Sequence, residues 1–242
     1  MTSSQDQKPL SGQLALVTGA SRGIGYATAQ ALAEAGAHVI AVARTVGGLE
    51  ELDDDIKSLG GNATLVPLDV TDYDGLDHMG ASIYERWGKL DILVANAGVL
   101  GVITPLPHLD PKEWQKLLDV NLTANFRLLR SMDPLLRQSE NGRAIFLSSS
   151  VGSTARAYWG GYAITKAGLE MMARTYALEN KINNVKVAIV NPGGTRTAMR
   201  AQAMPGEDPA TLPAPCEQAQ KILKIIQDPD LESGSFHDLK RG

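Results

Sequence analysis

"VTGASRGIGYA", residues 17–27, follows the apolar run "LALVT" (14–18) and leads into an alanine-rich helical pattern ending near Gly36. Gly19, Gly23 and Gly25 fall where the strand gives way to the helix. Glycine permits a tight turn there and lets backbone approach a ligand closely, while the free N–H groups of the helix start favour an anion. A glycine trio alone is weak evidence, because glycines also end strands. Set between an apolar strand and a helix, it predicts the pyrophosphate turn of a dinucleotide site, with Ser21, Arg22 and Ile24 in the same loop.

The same rhythm continues outward. Apolar strands are expected at 38–43, 63–68, 90–95, 143–148 and 185–190, each followed by a helical pattern. Thr71 and Asp74 read as a capping box for the helix over 72–87. A long helix is expected from Pro111 to about Arg137, another across 161–180 and a last one near 217–227. Alternating strands and helices of this kind predict an α/β fold, a doubly wound parallel sheet of about seven strands with helices on both faces, Rossmann-like. With 242 residues the chain reads as a single domain over 12–242, preceded by a flexible N-terminal tail at 1–11. The proline-rich stretch 197–216 is read as a substrate lid.

Composition excludes several classes. A net charge of −4 with scattered basic residues gives no nucleic-acid footprint. The single Cys216 cannot form an internal disulfide, which fits a cytoplasmic protein. The histidines at 38, 78, 108 and 237 are too dispersed for a metal site, so no metal is expected. No apolar run is long enough to span a membrane, and the polar start does not read as a signal peptide.

Tyr162 and Lys166 stand four apart, on one side of a helical turn. A phenol titrates near 10 unperturbed, and a nearby cation is expected to bring it toward neutrality for acid–base work. Tyr158, also four from Tyr162, precedes Gly160 and Gly161 and is expected outside the helix without a lysine of its own. The second strand ends in Ala43 and Arg44, with no acid before Glu50. An NAD site needs a carboxylate there for the ribose, whereas Arg44 and Arg22 suit a 2′-phosphate, so NADP(H) is the expected cofactor.

The Thr18-Gly-x-x-x-Gly-x-Gly spacing and the Tyr162-x-x-x-Lys166 pair resemble the single-domain branch of the short-chain dehydrogenase/reductase family, and the 3-oxoacyl-carrier-protein reductases within it. The resemblance implies that Ser149, 13 residues before Tyr162, holds a substrate carbonyl, and that Asn121 kinks the long helix and holds a water linking Lys166 to solvent. It implies that Asp69 and Val70 meet the adenine, and that Asn96, Ala97 and Gly98 lie along the cofactor. Pro192, Gly193, Thr195 and Thr197 would border the nicotinamide, with Lys166 on its ribose and Tyr162 beside the ring. Gly194 and Thr195 depart from the family's bulkier residues, which predicts a looser turn.

The expected function is NADP(H)-dependent interconversion of a carbonyl and an alcohol, with no nucleic-acid or membrane partner. The alternative is an NADPH-binding regulator or scaffold without turnover. Arg156, Tyr158, Trp159, Arg196, Met199, Arg200 and Met204 are expected around the substrate, where the arginines would suit an anionic or carrier-linked acyl group. The family resemblance implies a homodimer or homotetramer through the helices carrying Asn121 and Tyr162.

Overall fold

The computed structural model describes residues 8–241. Seven parallel strands form one sheet in the order β3-β2-β1-β4-β5-β6-β7. They are β1 (Leu14–Thr18), β2 (His38–Ala43), β3 (Asn62–Pro67), β4 (Ile92–Ala95), β5 (Gly142–Leu147), β6 (Val185–Asn191) and β7 (Ser235–Asp238). Side chains alternate across the pleat and build two cores. Ala15 and Val17 of β1 join the layer under α1 (Gly23–Glu34), α2 (Val46–Ser58) and α9 (Pro215–Gln227). Leu14 and Leu16 face the other layer, with α3 (Tyr73–Trp87), α5 (Ala124–Leu136) and α7 (Gly160–Glu179). The order reverses between β1 and β4, so their C-terminal ends open the crevice in which such sheets bind ligands.

Two local expectations need correction. Residues 1–7 of the expected tail lie outside the described residues, but 8–11 form a packed turn. Leu10 is 4% exposed, belongs to the core, and donates its N–H to the Ala35 carbonyl. The cap of α3 is Asp72, whose carboxylate accepts from the Gly75 N–H; Thr71 instead donates to Asp69.

The helix expected over 111–137 is interrupted at Asn121, where the family resemblance implied a kink. It runs as α4 (Pro111–Leu118), a π turn at Asp119–Thr123, then α5. The extra residue turns Asn121 fully into the protein, where its amide finds the partners described below. The stretch read as a lid also has structure of its own, with the short α8 (Ala198–Ala203), a 3₁₀ turn at Pro209–Thr211, and α9 beginning already at Pro215. The remaining short helix, α6 (Ser150–Ser153), follows β5.

Replacing Leu10 by alanine removes side-chain volume from a core that can only partly close around the gap. The variant is expected to lose about 2–3 kcal/mol in a urea titration. An unchanged midpoint would show that the turn at 8–11 is not part of the cooperative fold.

Candidate active site

The glycine turn closes on β4 through one threonine and one asparagine. Thr18 Oγ1 accepts from the N–H groups of Asn96 and Ala97, both at 3.0 Å. Asn96 returns its amide to the carbonyls of Thr18 (2.8 Å) and Gly19 (3.3 Å). Gly19 and Gly23 take φ of +67° and +62°, a region costly for other residues. A Cβ on Gly25 would overlap the Gly19 carbonyl, so α1 meets β1 only through glycine. A Cβ on Gly23 would touch nothing but the Thr197 methyl, at 3.4 Å, which brings the 192–197 loop to this turn. The start of α1 has no side-chain cap and no acid in its first turn.

Arg22 and Arg44 are both exposed at the crevice end of the sheet. Arg44 pairs with Asp69 across 3.4 Å, joining two residues that the sequence assigned to separate parts of the nucleotide. Burial opposes the charge on Asp69, but bonds from Thr71 and Arg44 hold its carboxyl below the usual range. Val70 follows it in the same half-buried loop.

Ser149, Tyr162, Lys166 and Asn121 converge at the ends of β4 and β5. Ser149 stands at the N-cap position of α6, yet its side chain makes no cap bond and lies near enough to the Tyr162 hydroxyl to favour its ionised form. The Lys166 ammonium lies 5.7 Å from the centroid of the Tyr162 ring and donates to the Leu147 carbonyl at 2.7 Å. Asn121 Oδ1 accepts from Val99 N–H at 2.8 Å, while Nδ2 donates to the Val99 carbonyl (2.9 Å) and Thr165 Oγ1 (3.1 Å). The Asn121 side chain therefore clamps the loop after β4 to α7. Gly98 lies in that loop; a Cβ there would sit 3.2 Å from Asn121 Oδ1 and 3.7 Å from Lys166 Nζ.

The 192–197 turn is tighter than its small residues predicted. Gly193, at φ +70°, donates to Asn191 Oδ1 at 3.1 Å, and Asn191 in turn donates to Asp238 of β7. Buried Thr195 donates to the Pro192 carbonyl at 3.3 Å, and Thr197 caps α8 by accepting from Arg200 N–H. Arg200 is unavailable as an anion receptor, because its guanidinium makes two bonds to Glu207. Arg156 stacks on Trp159 and reaches Met204 Sδ at 3.9 Å, and Arg196 is exposed. Tyr158 lies outside α7 as expected, at an unusual φ of +73°.

A model of the short chain dehydrogenase family matches residues 13–208. The chain belongs to that family. The oxidoreductase YciK of Escherichia coli K12 is 37% identical to it over 225 residues, 92% of this chain and 89% of YciK. The 3-oxoacyl-[acyl-carrier-protein] reductase FabG of the same organism is 36% identical over 188 residues, 78% of this chain and 75% of FabG. A short chain dehydrogenase of Shigella flexneri 2a, crystallised in complex with NADP, superposes with a TM-score of 0.93 at 35% identity. That alignment covers 97% of this chain and all of the other.

In this short-chain dehydrogenase the electrostatics of the pair are set by burial. Desolvation pushes the Tyr162 hydroxyl up to about 12, against the lowering influence of Ser149. Desolvation also pulls the Lys166 ammonium down to about 8, against the opposite charge of Glu170. The expectation that the lysine draws the phenol toward neutrality is not met. The ammonium is directed at a backbone carbonyl, and the loss of water around the phenolate outweighs it. Among the described residues no cluster of histidine, cysteine and carboxylates suits a metal ion.

The lysine shift has a measurable sign. Its folded-state value lies below that of the unfolded chain, so the unfolded chain holds more protons between about pH 8 and 10.5. Wild type is therefore expected to gain stability relative to Lys166→Met as pH rises through this window, by roughly 3 kcal/mol in all. Urea titrations of both proteins at pH 7 and pH 10.5 check this; a constant difference would mean that the ammonium is not desolvated.

Proposed function

We propose that this chain is a carbonyl reductase that uses NADPH, with Tyr162 as the proton donor. The observation that carries the reading is a buried phenol that keeps its proton at neutral pH, with Ser149 acting on it from the start of α6 and the Lys166 ammonium 5.7 Å from its ring centroid. A phenol in that state serves an oxygen that gains negative charge, as the oxygen of a reduced ketone or aldehyde does.

The residues of the crevice suit the cofactor. The uncapped start of α1 and the open face of Gly23 leave backbone N–H groups and room for a pyrophosphate. Arg22 and Arg44 are exposed for a 2′-phosphate, and the acid that would favour NAD is missing from the end of β2. The NADP complex of the Shigella flexneri relative supports the same choice. Gly19, Ser21, Ile24 and Gly25 would line the phosphates, Asp69 and Val70 the adenine, and Asn96, Ala97 and Gly98 the nucleotide between them. Pro192, Gly193, Thr195 and Thr197 would hold the carboxamide end, and Lys166 the nicotinamide ribose. The cofactor, when bound, supplies the hydride.

The protein's own part is positional and protonic. Ser149 donates a hydrogen bond to the substrate oxygen and holds it beside the Tyr162 hydroxyl, which gives up its proton. Asn121 keeps α7 and the loop after β4 in register around that point. Substrate enters past Trp159, Met199 and Met204. Arg200 is already paired, so a receptor for an anionic acyl group has only Arg156 and Arg196 to draw on. Exposed Phe126 of α5, with Ile164, Met171 and Leu178 of α7, supports pairing of two copies through these helices.

Tyr162→Phe is expected to lower turnover by roughly a thousandfold while leaving NADPH affinity intact, measured by rate assays and by fluorescence titration of the cofactor. Turnover that survives the change would remove the tyrosine from the reaction. KM for NADPH is expected to be well below that for NADH, and Arg44→Ala to narrow the gap about tenfold. Equal values for the two cofactors in wild type would refute the phosphate reading. NADPH oxidation with 3-oxoacyl thioesters, quinones, diketones and aldehydes tests the activity itself. No turnover with any of these carbonyl classes would overturn the reductase.

A further inference from the structure

Glu170 is 2% exposed in the middle of α7, two turns beyond Tyr162 and one beyond Lys166 on the same buried side. A buried carboxylate is costly unless its oxygens are satisfied, and an apolar residue of similar size often serves packing better. Each oxygen here has a serine. Oε1 accepts from Ser148 Oγ at 2.7 Å, and Oε2 accepts from Ser153 Oγ at 2.9 Å and from Arg174 at 3.1 Å. The backbone passes so close between those serines that a Cβ on Gly152 would overlap Oε1.

The two serines bracket the segment that carries Ser149. That segment is Ser149 followed by α6, a helix of four residues and far too short to hold its shape alone. Ser149 does not steady it with a cap bond either. The carboxylate therefore ties both ends of the Ser149 segment to the helix that bears Tyr162.

We infer that Glu170 is a positioning residue, which fixes the Ser149 hydroxyl against Tyr162 by gripping Ser148 and Ser153. This rests on the proposed roles of Ser149 and Tyr162. Its counterpart in rate is orientation, where a displacement of about 1 Å can cost up to a hundredfold.

The test is a cycle of Glu170→Leu and Ser149→Ala, with kcat and the KM for NADPH measured on the best carbonyl substrate of wild type. Glu170→Leu is expected to lower kcat at least tenfold with the NADPH KM unchanged, and to have little further effect once Ser149 is alanine. Glu170→Gln, which keeps an acceptor oxygen, is expected to recover part of the loss. An equal fold-loss in both backgrounds, or an unchanged kcat, would overturn the inference. If Glu170→Leu does not fold, Ser148→Ala and Ser153→Ala each remove one grip and are read in the same way.

A second readout needs no substrate. In protein labelled at the tyrosine ζ-carbon, Glu170→Leu is expected to move the Tyr162 resonance toward its position in Ser149→Ala. An unmoved resonance would count against Glu170 whether or not the wild type reduces anything. Inactivity of wild type on every carbonyl, with the resonance shifted, would instead remove the reductase reading and leave the grip standing.

Discussion

The arrangement depends on the place where the sheet reverses direction. β1 and β4 are neighbours, yet the chain leaves them toward opposite faces, so a crevice opens between their ends and side chains must satisfy backbone groups along it. Thr18 and Asn96 satisfy several of those groups across the gap. With the reversal stitched in this way, the glycine turn and the loop after β4 share one wall. Every residue assigned to nucleotide or substrate is then placed relative to that wall.

Around it the protein solves a harder problem, that of keeping a phenol and an ammonium away from water. Lys166 finds the Leu147 carbonyl, and Glu170 lies one turn further along the helix. Asn121 is brought inward by the π turn and spends its side chain on Val99 and Thr165. The rare helical geometry thus falls at the residue that joins three elements of the site. The outcome is a tyrosine that holds its proton, rather than one half-ionised by its lysine.

Much of this was legible beforehand. Strand and helix order followed from apolar runs that alternate with helical periodicity, and Tyr162 with Lys166 from spacing along one helix. Other features depend on long-range contacts that no local pattern contains. The π turn reads locally as continuous helix, because the bonds that reward it go to Val99 and Thr165. Leu10 sits in a polar stretch and looks like tail until Ala35 is seen beside it. Glu170 did leave a trace, since a glutamate one turn after Lys166 falls on a face otherwise turned inward. Its serine partners lie 22 and 17 positions away, and only the folded chain brings them together.

The bond from Asn191 to Asp238 carries a consequence for biosynthesis. Gly193 is held by Asn191, and Asn191 is held by β7, with the Lys240 stem lying over the glycine. A ribosome-bound chain that has emerged only as far as β6 can already build the glycine turn, β4 and the tyrosine helix. It still lacks the strand that secures the far wall of the crevice. Order in the 192–197 turn should therefore arrive late in translation, after most of the hydrophobic interior has condensed.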